Sequence, residues 1–199
     1  MYDKRILTVQ DLSCLGHCSA LVALPVLSAW GHETCLLPTA LLSTHTAFGD
    51  PYILQLYGSM PEIVRHWQRE KLTFDAILIG YLGSVRAIRQ VAALVDTLLA
   101  PGGICILDPV MADHGKLYRG FDGAYVSAMK ELCGRADVLL PNPTEAALLA
   151  EFFCREPLYL KKGMEDTLYA KFLFNVIIRR LVACRLRLRN EYFLYHRIL

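Results

Sequence analysis

The sequence predicts an α/β fold built on a mainly parallel central sheet. Two observations carry this. Short, continuously apolar, β-rich runs alternate with stretches of helical periodicity through residues 1–153, as expected of strands buried on both faces between crossover helices. Each run also ends at its carboxyl side in polar or glycine positions: Asp11, the loop near Thr46, Gly80-Tyr81, Asp108 and Asn142. Ligands of open parallel sheets bind beyond those strand ends, so these positions are the first candidates for a site.

In chain order, Ile6–Gln10 reads as a strand and Cys18–Trp30, apolar nearly all round, as a buried helix despite Pro25. Glu33–Leu37 is a second strand, stopped by Pro38. Leu41–Met60 is a connection without a clear period, and Pro61–Glu70 is a helix with proline in its first turn. Ala76–Ile79 is a third strand. Ser84–Leu98 is the clearest helix: Val85, Ile88, Val91, Val95 and Leu98 recur at steps of three and four, and Ser84 suits the N-cap. Ile104–Leu107 is a fourth strand, Tyr125–Cys133 has helical spacing, Val138–Leu140 is a fifth strand, and Thr144–Phe153 is a helix.

Composition divides the chain near Phe153. Residues 1–153 hold 11 basic and 15 acidic side chains, a net of −4, whereas residues 154–199 hold 10 basic and 4 acidic, a net of +6. Twelve of the 13 glycines lie at or before Gly134. The whole-chain net of +2 points to neither nucleic acid nor an acidic partner. Met1–Arg5 is polar and Ile6–Val9 too short for a signal core, so no secretory signal is expected, and no apolar run reaches the ~18 residues of a bilayer span. The seven cysteines form no Cys-x-x-Cys pair; reduced thiols and a cytoplasmic location are the expectation. The basic tail lacks an amphipathic order, so neither a membrane nor a nucleic-acid partner is expected.

Four segments carry chemistry. Asp108-Pro109-Val110-Met111 puts a carboxylate at a strand end, where it can reach a metal ion or phosphate-bound water; it equally suits an Asp that ends a strand. Pro141-Asn142-Pro143-Thr144-Glu145 reads first as a capping box, with Asn142 at the N-cap and Glu145 at the third helical position. The same geometry attracts anions, and Glu145 could support a metal–water shell. Ser43–Gly49 clusters hydroxyls with His45 and Phe48, as a polar aromatic pocket or a self-satisfied turn. Gly80-Tyr81-Leu82-Gly83 would let a flat ligand lie against Tyr81. Walker-type phosphate loops, dinucleotide fingerprints and nucleophile elbows are absent.

Taken in chain order, Val9-Gln10, Gly16-His17, Ser43–Gly49, Gly80–Gly83, Asp108–Met111 and Pro141–Glu145 resemble the pyridoxal kinases of the ribokinase-like superfamily over roughly residues 4–153. Ser43–Gly49 resembles that family's Ser-Asn-His-Thr-x-Tyr-Gly segment. The resemblance implies a ribokinase-like three-layer αβα fold, incomplete in its C-terminal part, with residues 154–199 an atypical tail. It implies ATP- and Mg2+-dependent phosphorylation of the 5′-hydroxymethyl group of pyridoxal, pyridoxine or pyridoxamine. Asp11, His45, Thr46, Tyr81 and Tyr118 would bind the vitamer, Tyr118 from a flap within Gly115–Gly123. Asp108, Asn142 and Glu145 would serve ATP, and Asp108 and Glu145 the metal. Asp11 stands where many relatives carry a ring-contacting Ser. Relatives are commonly dimers, which leaves a homodimer open.

The family's Gly-x-Gly-Asp, which supplies the general base and the anion hole, is not in these 199 residues. The simplest account of the sequence is a truncated or frame-shifted kinase gene whose product has little or no kinase activity. A hydroxymethylpyrimidine kinase, which shares the Asp-Pro-Val-Met segment, and a non-catalytic ligand-binding remnant are the alternatives.

Overall fold

The computed structural model describes residues 3–45 and 48–153, within a first unit that spans Met1–Leu158; the expectations for the tail 154–199 lie outside the described residues. Six strands form one sheet: β1 (Arg5–Ser13), β2 (Glu33–Leu42), β3 (Ile53–Gln55), β4 (Phe74–Ile79), β5 (Leu99–Leu107) and β8 (Val138–Leu139), in the order β3-β2-β1-β4-β5-β8. All pairings are parallel except the antiparallel β2–β3 pair. A separate hairpin joins β6 (Ala112–Asp113) to β7 (Lys116–Leu117). The helices are α1 (Ala20–Ala29), α2 (Met60–Arg69), α3 (Val85–Leu98), α4 (Gly123–Cys133) and α5 (Pro143–Phe153). None of the described helices is long and apolar enough to cross a membrane.

The strand order dictates where the helices go. From β1 the chain moves one way to β2; from β2 it returns past β1 to β4, β5 and β8. Right-handed crossovers in opposite directions place their helices on opposite faces, so α1 stands on one face and α2, α3 and α4 on the other. Consistent with this, α2 packs on α3 and α3 on α4. Leu7, Val9, Ile77, Ile79, Cys105 and Leu107 project toward Ile88, Val91 and Leu94 of α3 and Met129 of α4, all sealed from solvent. Ser84 caps α3 as expected, accepting from the Ala87 N–H at 3.1 Å. Asp122 caps α4, accepting from the Ala124 and Tyr125 amides at 3.0 Å each.

Four expectations are corrected. The helix at 20–29 forms, yet Ala20 is its one buried residue, and Val22, Val26 and Trp30 are 43, 47 and 62% exposed. Apolarity all round the helix marked it as apolar, but α1 is the one described helix on its face of the sheet. For the same reason Ala76, Leu78, Ile104 and Ile106, alternating with the sealed strand residues, stay partly open. The second strand runs through Pro38 to Leu42 rather than stopping at Pro38. Pro38 pairs with Gln10 on β1, while β3 joins β2 only from Ala40 onward; on that outer side Pro38 sits at a sheet edge, where a missing donor is tolerated. The connection 41–60 contains β3. Finally, β1 continues past Gln10, through an irregularity at Asp11, to a pairing of Ser13 with Leu42; Asp11 therefore lies in the strand and not after it.

Packing on the α3 face makes one clear expectation. Leu94→Ala should lower the unfolding free energy by about 2–5 kcal/mol, whereas Val22→Ala on α1 should change it by no more than about 0.5 kcal/mol, both read from urea midpoints.

Candidate functional site

The sheet ladder continues one residue beyond several strands. The Gly80 N–H donates to Val9 O at 3.0 Å, the Asp108 N–H to Ile79 O at 2.9 Å, and the Leu140 N–H to Leu107 O at 2.9 Å. These bonds align Gln10-Asp11, Gly80-Tyr81, Asp108 and Leu140–Asn142 along one edge, across the point between β1 and β4 where the strand order reverses. Crevices of parallel sheets open there.

On the β1–β4 side the surfaces are aromatic and acceptor-rich. Asp11 is 4% exposed and accepts from Ser13 Oγ at 3.4 Å. Thr39 Oγ1 donates to the Tyr81 carbonyl at 2.7 Å and so holds the chain as it leaves β4. Burial raises the Tyr81 phenol above its usual range; the Asp11 charge adds to this, and a hydrogen bond with Gln55 opposes it. Gly83, at φ +74°, makes the Gln55–Tyr81 meeting possible: a Cβ there would lie 2.8 Å from the amide end of Gln55 and 3.1 Å from the Tyr81 ring. Tyr81 stacks on Phe121 with centroids 6.0 Å apart, Phe121 on Tyr125 at 3.7 Å, and Tyr118 meets Phe121 edge-on at 6.4 Å.

On the β5–β8 side the groups are carboxylates. The capping box forms in full: the Glu145 N–H donates to Asn142 Oδ1 at 3.0 Å and the Asn142 N–H to Glu145 Oε2 at 2.9 Å. Glu145 does more than cap. Its Oε1 accepts from the Met111 N–H at 3.0 Å and the Ala112 N–H at 3.4 Å, and Asn142 Nδ2 donates to Ala112 O at 2.7 Å. The first turn of α5 thus anchors the hairpin that leads to Tyr118. Glu145 is 2% exposed, and burial raises its carboxyl against the pull of those backbone amides. Burial, together with the Glu145 charge, pushes the Asp108 carboxyl up to about 7. Asp108's side chain makes no hydrogen bond to another described residue. Tyr118 joins the two sides: it packs on Phe121, and burial and the charges of Asp113, Glu145 and Asp108 raise its phenol.

His45 lies on the loop after β2. Its ring meets Phe48 edge-on at 4.7 Å and lies against Gly16, where a Cβ would stand 2.1 Å from the ring; Gly16 has φ +100°. Arg119 pairs with Asp50, so the segment of Tyr118 reaches the loop of Phe48. Thr46, the remaining candidate, is outside the described residues. The structure thus groups Asp11 with Tyr81, and Asp108 with Asn142, Glu145 and Tyr118.

Phe121 and Gln55 were not picked out from the sequence. Phe121 had a signal, an aromatic directly before the cap residue Asp122 of α4. Gln55 had none, because its strand lies inside the connection that shows no period. Two clefts of about 320 and 280 Å³ lie elsewhere, between α3 and α4 and between α2 and α3.

The family model of phosphomethylpyrimidine kinase matches residues 62–183. The pyridoxal kinase of Actinobacillus pleuropneumoniae is 28% identical over 149 residues, covering 71% of this chain and 51% of that protein. Among solved structures, the pyridoxal kinase of Lactobacillus plantarum is 40% identical with a TM-score of 0.72, covering 87% of this chain and 60% of the other. The pyridoxal kinase of Leishmania donovani, solved with ADP and pyridoxamine, is 25% identical with a TM-score of 0.70, covering 87% and 60%. The chain spans about half the length of the curated relatives it matches.

Two measurements probe this geometry. Glu145→Ala strands three backbone amides and should cost about 2–4 kcal/mol, with Glu145→Gln costing less, as read by urea denaturation. Asp108 sets a pH dependence. The fold holds its proton up to about pH 7, whereas the unfolded carboxyl releases it near 3.8. The folded state therefore binds the extra proton between these values, and stability falls as pH rises through that window. Asp108→Asn should flatten this slope and leave the variant more stable than the parent above about pH 7.

Proposed function

Since this chain belongs to the phosphomethylpyrimidine kinase family, we propose that its strand-end site, carried by residues 1–153, takes a vitamin B6 vitamer against Tyr81 and Phe121 and the phosphates of ATP beside Asp108 and Glu145. The reaction this serves is ATP-dependent phosphorylation of the vitamer's 5′-hydroxymethyl group. One observation carries the reading: an aromatic stack and a carboxylate pair open at adjacent strand ends and are bridged by Tyr118. Tyr81 would face the ring, Asp11, His45 and Thr46 would border it, and Tyr118 would close over it from the hairpin.

The donor set fits Mg2+. Asp108 has no hydrogen-bond donor among the described residues, and its charge is resisted by burial and by Glu145, a conflict that a divalent cation relieves. Mg2+ is commonly held by one or two carboxylates together with substrate phosphates and water. Asp108 would hold it directly. Glu145, whose two oxygens already accept from backbone amides, would act through water. The ion supplies charge neutralisation of the phosphates. Asn142, its side chain spent on Glu145 and Ala112, would set the entry of α5 whose N-terminus borders the phosphates.

What these residues do is bind and position, a large part of catalysis in phosphoryl transfer. The proton acceptor and the anion hole that the family places on Gly-x-Gly-Asp are not among the 199 residues, so binding without appreciable turnover is the behaviour proposed for this chain. A hydroxymethylpyrimidine is the second reading, favoured by the match of residues 62–183 to the phosphomethylpyrimidine kinase family.

Calorimetry on the purified chain tests the proposal. Pyridoxal and Mg2+·ATP should both bind, pyridoxal in preference to hydroxymethylpyrimidine. Asp108→Asn should weaken Mg2+·ATP about tenfold or more and leave pyridoxal within about twofold. Pyridoxal phosphate should not accumulate. Failure to bind pyridoxal would overturn the reading, and measurable turnover would show that another group acts as the base.

A further inference from the structure

Of the three carboxylates at the strand ends, Glu145 is held by backbone amides and Asp108 faces Glu145. Asp11 stands apart. It is 4% exposed, and its one hydrogen bond among the described residues is the long one from Ser13 Oγ at 3.4 Å. That hydroxyl itself accepts from Cys18 Sγ at 3.5 Å. None of the ion pairs among the described residues involves Asp11. A carboxylate buried with so little compensation is costly, and a native fold retains such a group where something else completes it.

A second, independent observation concerns Gln55, which also meets Tyr81. Gln55 is hydrogen-bonded to the Tyr81 side chain, and its Oε1 is buried with no donor among the described residues. An under-satisfied carboxylate and an acceptor without a donor therefore both approach Tyr81. Acceptors are completed by donors, and a carboxylate is completed best by a donor that carries positive charge. A protonated amine supplies three donors and the charge together. The face of Tyr81 favours a cation as well. A neutral hydroxyl there supplies a donor without the charge, and an anionic substituent would meet repulsion from Asp11.

We infer that the ring site selects a ligand bearing a protonated amine, held by the Asp11 carboxylate beside Tyr81 with Gln55 Oε1 as a further acceptor. Among vitamin B6 compounds this is the aminomethyl form, in preference to the hydroxymethyl form. The inference rests on the strand-end site taking a ring of this type.

The test is calorimetric titration of the full 199-residue chain at pH 7 with pyridoxamine and with pyridoxine, which differ in the aminomethyl against the hydroxymethyl group. Pyridoxamine should bind about tenfold or more tightly than pyridoxine. Asp11→Asn should bring the two within about twofold, and Gln55→Met should narrow the gap in part. Equal binding of both compounds by the parent chain would overturn amine selection while leaving the ring site standing. Retention of the full preference by folded Asp11→Asn would remove Asp11 from the role. If neither compound binds, both this inference and the vitamer reading fall. The parent chain's own ratio decides the matter even if a variant does not fold.

Discussion

Everything at the strand ends depends on β1 being sandwiched in parallel between β2 and β4. Leu7, Thr8 and Val9 are sealed on both faces of that strand, and its two neighbours are reached by crossovers that leave in opposite directions. Right-handedness then forces the helices apart onto two faces and leaves a crevice at the carboxyl end. Asp11 and Tyr81 meet because β1 and β4 are hydrogen-bonded neighbours, although 70 residues separate them in the chain. The buried Gln10 side chain, donating to Thr8 Oγ1 at 2.9 Å, keeps this strand satisfied where it would otherwise carry an orphaned amide.

The carboxylate side obeys a different constraint. Glu145 is fully explained as structure: it closes a capping box and receives two amides from the hairpin. That completeness is what gives Asp108 its chemistry. A carboxylate fixed by backbone donors cannot move away from its neighbour, so the cost of placing two charges together falls on the partner that has no donors, and Asp108 is the one pushed up to about 7. Structural and functional readings of Pro141–Glu145 are therefore one arrangement viewed from its two ends. The same first turn of α5 decides where Tyr118 can be, through the Asn142 and Glu145 bonds to residues 111–112.

Periodicity and strand-end logic made the strands, α3, its Ser84 cap and the Asn142–Glu145 box legible in the sequence, because each leaves its pattern within a few neighbouring residues. What escaped depends on neighbours distant in the chain. The exposure of α1 follows from which face the other helices take. The passage of β2 through Pro38 follows from β3 pairing only further along. Phe121 gains its place from a stack formed by Tyr81 and Tyr125, and Gln55 from a strand with too few residues to show alternation. Resemblance supplied roles for Asp11, Tyr81 and Asp108; it marked Gly83 without a role, and the structure gives it one, since its missing Cβ lets Gln55 reach Tyr81.

Charge ties the two halves of the site together. Asp11, Asp108 and Glu145 lie along one sheet edge, and none of the ion pairs among the described residues touches them. Lys4, Arg5 and Arg135 are engaged elsewhere, with Asp75, Glu33 and Asp96, and beside Tyr118 the Arg119 guanidinium is taken by Asp50. Of the helix N-terminal amides at α5, the one at Glu145 is already taken by Asn142. At such an edge three carboxyl groups stand without an ion-pair partner among the described residues, and an incoming phosphate would meet them directly. On the proposed reading, a nucleotide bound there would have to bring its cation with it, and the ring side, governed by the same carboxyl groups, would favour a ligand that arrives positively charged. The proposed metal requirement and the proposed amine preference would thus share one electrostatic origin: a row of strand-end carboxyl groups that the fold buries without a basic partner among the described residues.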